Sequence, residues 1–217
     1  MSKSNPNRLP DFFNVNQEGT DYGYEAIQDF FLSWTFRCAV ENTKTINEGL
    51  HHYSKRAVFY LIYGKFSKTA ANESEIYVYD LNKDVDIDSF KVISVKTYRQ
   101  TGQVDLIAEI EFEYKNNHRK VILNIENKYY TTTSKDQLEK SKYGINTFFK
   151  SYPNEDRINL LIYCDHLNIT REIVNLCVDQ NYKLLTIPHI QDFMGIDGKH
   201  LTGNYLFDEY WFHYYPI

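Results

Sequence analysis

Residues 104–128 read VDLIAEIEFEYKNNHRKVILNIENK and contain two segments with the pattern of β-strands. From Val104 to Tyr114, apolar side chains alternate with mostly acidic ones, a period of two that predicts a half-buried strand. Within the polar segment that follows, Asn116-Asn117 suits a tight turn because asparagine tolerates positive φ. Val121 to Lys128 predicts a second strand, so we expect an antiparallel hairpin.

The turn sets the register of this hairpin. A two-residue loop at Asn116-Asn117 places Asp105 opposite Lys128 and Ile107 opposite Glu126. Any shift by two residues keeps the same faces, whereas a shift by one would send Asp105 to the opposite face. We therefore expect Asp105, Glu126 and Lys128 on one face, within roughly one or two strand spacings of each other.

Composition and charge limit the class of protein. Of the 217 residues, 42% are hydrophobic and 24% are charged, which is typical of a globular chain and excludes a disordered one. The net charge of −5 argues against a protein that coats nucleic acid by bulk electrostatics. A local basic groove stays open, because lysines outnumber acids between Lys128 and Lys150.

Cysteine usage and hydropathy indicate the compartment. No apolar run approaches the roughly 20 residues that a membrane span needs, so we expect no membrane association. The three cysteines include no close pair, which argues against a disulfide framework. A cytoplasmic protein fits both observations best.

Residues 1–20 read as a polar tail, and 21–217 as a single domain. A helix is expected over Asp21–Ala39, apolar on two faces, with Glu25 on the second of them. The other expected elements are a helix over Thr45–Arg56, extended runs over Ala57–Phe66, Glu75–Tyr79 and Phe90–Tyr98, a helix over Ser134–Lys150, a strand over Ile158–Cys164, a helix over Ile169–Gln180 and a strand over Tyr182–Ile187. The aromatic run Tyr205–Tyr215 favours core or a homodimer contact.

Two carboxylates and a lysine on one strand face can support metal-assisted hydrolysis. Carboxylate oxygens suit Mg²⁺ or Mn²⁺, and a nearby ammonium can orient the attacking water and offset the charge that grows on a phosphate. The alternative is a cross-strand salt bridge on a solvated face. For a lone Glu-x-Lys this alternative is favoured, since the tripeptide carries little information.

The wider pattern resembles the PD-(D/E)XK nuclease superfamily, in particular a bacterial branch with an IENK strand motif. The resemblance spans about Tyr24 to Ile187 and implies an α/β fold. Its restriction-endonuclease-like core would have three αβα layers in the order αβββαβ, with a mixed central sheet flanked by helices. The matching segments are Gly102–Ile107, Ile125–Lys128, Gln137-Leu138 and the first helix, where Glu25 precedes Phe31-Leu32-Ser33-Trp34.

The resemblance implies a role for each residue of the strand motif. Asp105 and Glu126 would ligate Mg²⁺ or Mn²⁺, and the carbonyl of Asn127 would be a further oxygen ligand. Lys128 would be the catalytic lysine. Val104 stands where the superfamily's name has proline, and this departure is common in the superfamily.

The helices would contribute further residues. Glu25 would bind a second metal or a metal-bound water, which would explain a carboxylate on a buried helix. Gln137 matches a glutamine that some branches place beside the active site, and Tyr143 the aromatic that follows it. The spacing from Gln137 to Tyr143 is longer than usual. Gln103 stands where arginine is frequent, which removes one phosphate contact.

Taken together, these features predict a metal-dependent nuclease that hydrolyses DNA phosphodiester bonds, endonucleolytically, with a role in defence, restriction or repair by analogy. A catalytically silent module of the same fold that binds nucleic acid or protein is the alternative. Activity on RNA or branched DNA is a third reading, since the metal chemistry is common to all.

Overall fold

The computed structural model of the protein describes residues 24–67, 78–80, 86–129, 131–196 and 199–214. The predicted tail, 1–20, lies outside these residues. Two short strands, β1 (Lys65–Ser67) and β2 (Val78–Asp80), form an antiparallel pair. The main sheet has five strands in chain order, which are β3 (Lys91–Thr101), β4 (Val104–Tyr114), β5 (Asn117–Lys128), β6 (Arg157–Tyr163) and β7 (Lys183–Thr186).

The main sheet is mixed. Strands β3, β4 and β5 are antiparallel, whereas β5, β6 and β7 run parallel. The flanking helices are α1 (Tyr24–Cys38), α2 (Glu41–Lys44), α3 (Glu48–Tyr63), α4 (Lys135–Phe148), α5 (Arg171–Gln180), α6 (Ile187–Met194) and α7 (Tyr205–Asp208). A 3₁₀ turn, Asn154–Asp156, precedes β6, and a π-helical segment, Glu209–Tyr214, follows α7. The predicted mixed sheet flanked by helices is confirmed.

The turn of the β4–β5 hairpin lies one residue earlier than predicted. Tyr114 pairs with Asn117, so the loop is Lys115-Asn116, whose φ values of 50° and 62° are both left-handed. The register therefore shifts by two residues. Continuing it past Leu106–Ile125 places Asp105 opposite Glu126 rather than Lys128, on the same face as predicted.

The predicted extended run Ala57–Phe66 is wrong. Helix α3 continues through it to Tyr63, and Gly64 ends the helix. Its residues from Ala57 to Ile62 are all buried, so the segment shows neither the 3.6-residue nor the two-residue period. A short apolar run buried on every side cannot be assigned from periodicity alone.

The two faces of the sheet carry different helices. Helices α1, α3 and α6 cover one face, together with the C-terminal aromatic residues, and form the larger core. Helices α4 and α5 cover the other. Phe207, Tyr210 and Trp211 are buried in the larger core, where Trp211 Nε1 donates to Thr35 Oγ1 at 3.0 Å. Most of the described part of the aromatic run is therefore core, although Tyr205 is exposed, and the homodimer stays a prediction.

Helix α4 approaches the turn between β3 and β4 closely. A Cβ at Gly144 would lie 2.0 Å from the carbonyl oxygen of Gly102, so no other residue fits at 144 without a shift. Gly102 and Gln103 form the turn with φ of 62° and 66°. This approach fixes α4 beside the start of β4.

No helix in the described ranges combines the length and apolar character of a bilayer span.

Candidate active site

Three charged side chains meet where β5 ends and β4 begins. Lys128 Nζ donates to Glu126 Oε1 at 2.7 Å and lies 3.9 Å from Asp105 Oδ2. Glu126 and Lys128 are almost completely buried, with 1% and 4% of their surface exposed, whereas Asp105 is partly exposed. The three residues share the sheet face that α4 covers, as the register argument predicts.

The backbone at this corner holds the Asp105 carboxylate in place. The β4–β5 ladder ends at the pair Leu106–Ile125. Beyond it, Asp105 Oδ2 accepts the backbone N–H of Asn127 at 3.0 Å. Because the N–H and C=O of one strand residue point to the same side, the Asn127 carbonyl is directed toward β4 as well.

Gln137 reaches the cluster from the first turn of α4. Ser134 caps this helix by accepting the Gln137 backbone N–H, and Gln137 Nε2 donates to Glu126 Oε1 in a short contact. Glu126 Oε1 is thus held from two directions. Tyr143 lies two turns further along α4 and is 74% exposed, so the structure does not bring it to the cluster.

Glu25 of α1 lies beside the end of β5, but it contacts the backbone there. Its Oε1 accepts the backbone N–H of Tyr129 at 3.1 Å and the hydroxyl of Thr131 at 2.9 Å. These two hydrogen bonds satisfy the Glu25 carboxylate on the largely buried helix α1. They hold the chain that leaves β5 and do not join Glu25 to Asp105 or Glu126.

Sequence reasoning missed two residues of α1. Gln28 Nε2 donates to Asn127 Oδ1 at 3.0 Å, and Asp29 Oδ1 accepts from Asn127 Nδ2 in a short contact. The Asn127 carboxamide is therefore held at both ends. The available signal was that Asp29 follows Glu25 by one helical turn on a face expected to be buried.

Burial dominates the electrostatics of the cluster. It raises the pKa of Glu126 to about 7, with a further rise from the neighbouring Asp105 carboxylate and an opposing effect of Lys128. Burial also raises the pKa of Asp29 to about 7, against the lowering effect of its bond with Asn127. Both carboxyl groups consequently exchange protons near neutral pH.

The donor set of the cluster fits a hard divalent cation. Glu126 Oε2 is buried and has no hydrogen-bond partner among the described residues. That oxygen, the Asp105 carboxylate and the Asn127 carbonyl are the ligand types that Mg²⁺ and Mn²⁺ take, with water at the other positions. Across the described ranges no group of three or more Asp, Glu, His or Cys side chains is arranged to hold a metal, so the protein would supply two carboxylates.

Cys164, at the end of β6, offers no nucleophile to this site. Its Sγ donates to the carbonyl of Tyr129 at 3.0 Å, and burial raises the pKa of the thiol to about 12. A thiol in this state carries almost no thiolate at neutral pH. The described chemistry at this edge of the sheet is therefore that of carboxylates and an ammonium.

No family model matches the chain, and no curated protein is detectably similar to it. Among solved structures, the MspJI restriction endonuclease in complex with a 27-mer oligonucleotide is similar in fold, with 13% sequence identity and a TM-score of 0.27. The matched region covers 82% of this chain and 32% of that chain. The protein thus spans about a third of that neighbour's length, and the likeness is weak and concerns the fold alone.

Proposed function

We propose that the protein is a metal-dependent nuclease of the PD-(D/E)XK type that hydrolyses DNA phosphodiester bonds endonucleolytically. One observation carries the proposal. The buried ammonium of Lys128 lies 2.7 Å from Glu126 and 3.9 Å from Asp105, and a second Glu126 oxygen has no partner among the described residues. A structural salt bridge would need neither the second carboxylate nor an orphaned oxygen.

Each residue of the cluster has a role in this proposal. Asp105, Glu126 and the Asn127 carbonyl would hold Mg²⁺ or Mn²⁺, which supplies Lewis-acid polarisation of the phosphate and a more acidic water. Lys128 orients the attacking water and offsets the charge that develops on the phosphate. Gln137 keeps the Glu126 carboxylate in one orientation. Glu25 stays a candidate for a second metal or a metal-bound water.

The order of elements supports this assignment. If α2, α3, β1 and β2 are taken as an insertion after α1, the elements that remain up to β6 have the αβββαβ order that the family resemblance implies. Three buried, unpaired cysteines support a cytoplasmic location.

The test is cleavage of supercoiled plasmid and of labelled duplex, single-stranded, branched and RNA substrates with Mg²⁺ or Mn²⁺. We expect duplex DNA to be cleaved, and Lys128→Met to reduce the rate by at least about 100-fold. Lys120→Met is the matched control, because Lys120 lies on the same strand and face but is exposed and pairs with Glu111. Equal rates for the two variants, or no cleavage of any substrate by the wild type, would contradict the proposal.

A catalytically silent binding module is the second candidate. The observation in its favour is that, among the residues that the structure describes, only two carboxylates converge with Lys128, and that Glu126 Oε1 already accepts bonds from Lys128 and Gln137. In that case the protein would bind DNA with an affinity that Mn²⁺ does not change. Tight binding without any cleavage in the same assays would favour this candidate.

A further inference from the structure

Arg99 presents an exposed guanidinium at the corner of the sheet that carries the candidate site. It lies on the edge strand β3 and pairs with Leu106, the residue next to Asp105. Its side chain projects on the α1 face, near Asp29, and is 39% exposed. Arg99 and Asp105 therefore occupy the same corner on opposite faces of the sheet.

The hydrogen-bonding capacity of Arg99 is largely unused. Within the described part of the chain, its ion-pair partner is Asp29, whose Oδ2 lies 3.9 Å from the guanidinium, and no hydrogen bond links the two groups. A guanidinium carries a planar set of N–H donors that matches two oxygens of a phosphate at once. An exposed arginine in this state is ready to bind an anion from solution.

Asp29 connects this arginine to the catalytic strand. Its other oxygen, Oδ1, accepts the Asn127 carboxamide, and Asn127 lies between Glu126 and Lys128 in β5. Asp29 is only 4% exposed and its Oδ1 is held by Asn127, so its Oδ2 lies at a defined position 3.9 Å from the Arg99 guanidinium. Asp29 is thus placed to fix Arg99 relative to the cluster.

The local charge explains why a cation is needed here. The partly exposed carboxyl groups of Glu25 and Asp105 lie around the end of β5, whereas the Lys128 ammonium there is buried and donates to Glu126. Such a surface repels DNA unless a cation lies beside the reacting position. Gln103, in the adjacent turn, carries no charge and cannot fill this role.

We propose that Arg99 contacts the substrate by binding a DNA phosphate adjacent to the scissile one, and that Asp29 is the residue that positions it. The proposal rests on the proposed nuclease function, since it assigns a contact to that substrate. It is tested by DNA binding in EDTA, without metal and without cleavage. The outcome is therefore independent of whether the protein is catalytically active.

The experiment measures the affinity for a fluorescent DNA duplex at several salt concentrations. Loss of one phosphate contact lowers the slope of log K against log salt by about one and weakens binding about tenfold at low salt. We expect this for Arg99→Gln and not for Lys96→Gln. Lys96 is the matched control, because it is an exposed cation three residues earlier on β3. Its side chain lies on the sheet face that α4 covers, opposite that of Arg99.

Two further variants separate positioning from simple charge. Arg99→Lys should keep the salt slope but bind more weakly than the wild type, since an ammonium cannot form the bidentate contact. At pH 8, where Asp29 is ionised, Asp29→Asn removes a negative charge, so electrostatics alone predicts tighter binding, whereas a positioning role predicts weaker binding. Unchanged thermal unfolding of each variant confirms that the fold is intact.

The proposal is overturned if Arg99→Gln and Lys96→Gln have the same slope, or if the wild type does not bind DNA at all. Tighter binding by Asp29→Asn overturns the positioning role of Asp29. Failure of the nuclease function alone would give a different result. The protein would cleave nothing with Mg²⁺ or Mn²⁺, while Arg99→Gln would still lower the slope of log K against log salt.

Discussion

Asp105 Oδ2 accepts the backbone N–H of Asn127 at 3.0 Å, one residue beyond the last ladder pair of β4 and β5. This bond fixes the exposed carboxylate of the cluster against the strand that carries the two buried groups. It also means that the side chain of Asp105 and the backbone of Asn127 move together. The geometry of the candidate metal ligands is therefore set by the backbone of β5.

Asp105→Asn should weaken Mn²⁺ binding at least tenfold, as measured by calorimetry. Asparagine keeps an oxygen that can accept the Asn127 N–H, so the backbone bond survives while the charge that attracts the cation is lost. Glu113→Gln, on the same strand and face but distant from the cluster, should have no effect. Equal affinities of both variants would remove Asp105 from the metal site.

Gln137→Ala should lower kcat by about tenfold and leave KM nearly unchanged, because Gln137 touches Glu126 and not the substrate. Glu139→Ala is the control on the same helix, since Glu139 is exposed and pairs with Lys135. Steady-state cleavage kinetics measure both. A change in KM alone would indicate that Gln137 contacts DNA instead.

The contribution of Glu126 to the stability of the metal-free protein should fall as pH rises from about 4.5 to about 7, whereas His189, whose pKa burial lowers to about 4, contributes the opposite slope. The pKa of Glu126 is raised from 4.5 to about 7 in the fold, so in this window its carboxyl group binds more protons in the folded state than in the unfolded state. Its contribution to the free energy of unfolding then decreases with pH. Urea unfolding at several pH values measures the slope.

Glu126→Gln should reduce the change of the free energy of unfolding with pH. Part of that change should remain, because the pKa of Asp29 is also raised. Mg²⁺ at pH 8 should raise the melting temperature of the wild type and not of Glu126→Gln, because at this pH the buried carboxylate is mostly ionised and the cation compensates its charge. The same pH slope in the wild type and in Glu126→Gln would contradict the assignment.

Gly144→Ala should destabilise the protein by about 1–3 kcal/mol, although alanine is the better helix former. The added Cβ would meet the Gly102 carbonyl at 2.0 Å and push α4 away from the turn that precedes Asp105. Thr147→Ala, exposed on the same helix, should change stability little. Urea unfolding of both variants measures the difference, and equal stabilities would show that the turn can move without cost.

Much of the architecture could be predicted because its signals are local. Strand β4 has the predicted bounds, since the alternation of side chains along Val104–Tyr114 reports directly which face is buried. Helix α4 begins as expected next to Ser134, whose side chain caps it by accepting the Gln137 backbone N–H. Helix α3 was predicted only as far as Arg56, because complete burial of the residues from Ala57 to Ile62 removes the periodicity on which such predictions depend.

The hairpin shows how far parity extends a prediction. The turn was misplaced by one residue, yet Asp105, Glu126 and Lys128 still share a face, because an even shift in register preserves the alternation of side chains. The partner of Asp105 changed from Lys128 to Glu126. The alternation of side chains along the strands therefore determines which residues share a sheet face, while the position of the turn determines which residues are paired.

The common face of the three charged residues follows from alternation within short stretches of the chain, whereas Gln137 was expected only from the family resemblance. The network of Gln28, Asp29 and Arg99 follows from neither, because its members are brought together by packing of α1 against the sheet. Asp29 and Asn127 are 98 residues apart in the chain. Local alternation and helical spacing carry no information about such a contact, which exists only once the helix is docked and its carboxylate must find a partner away from water.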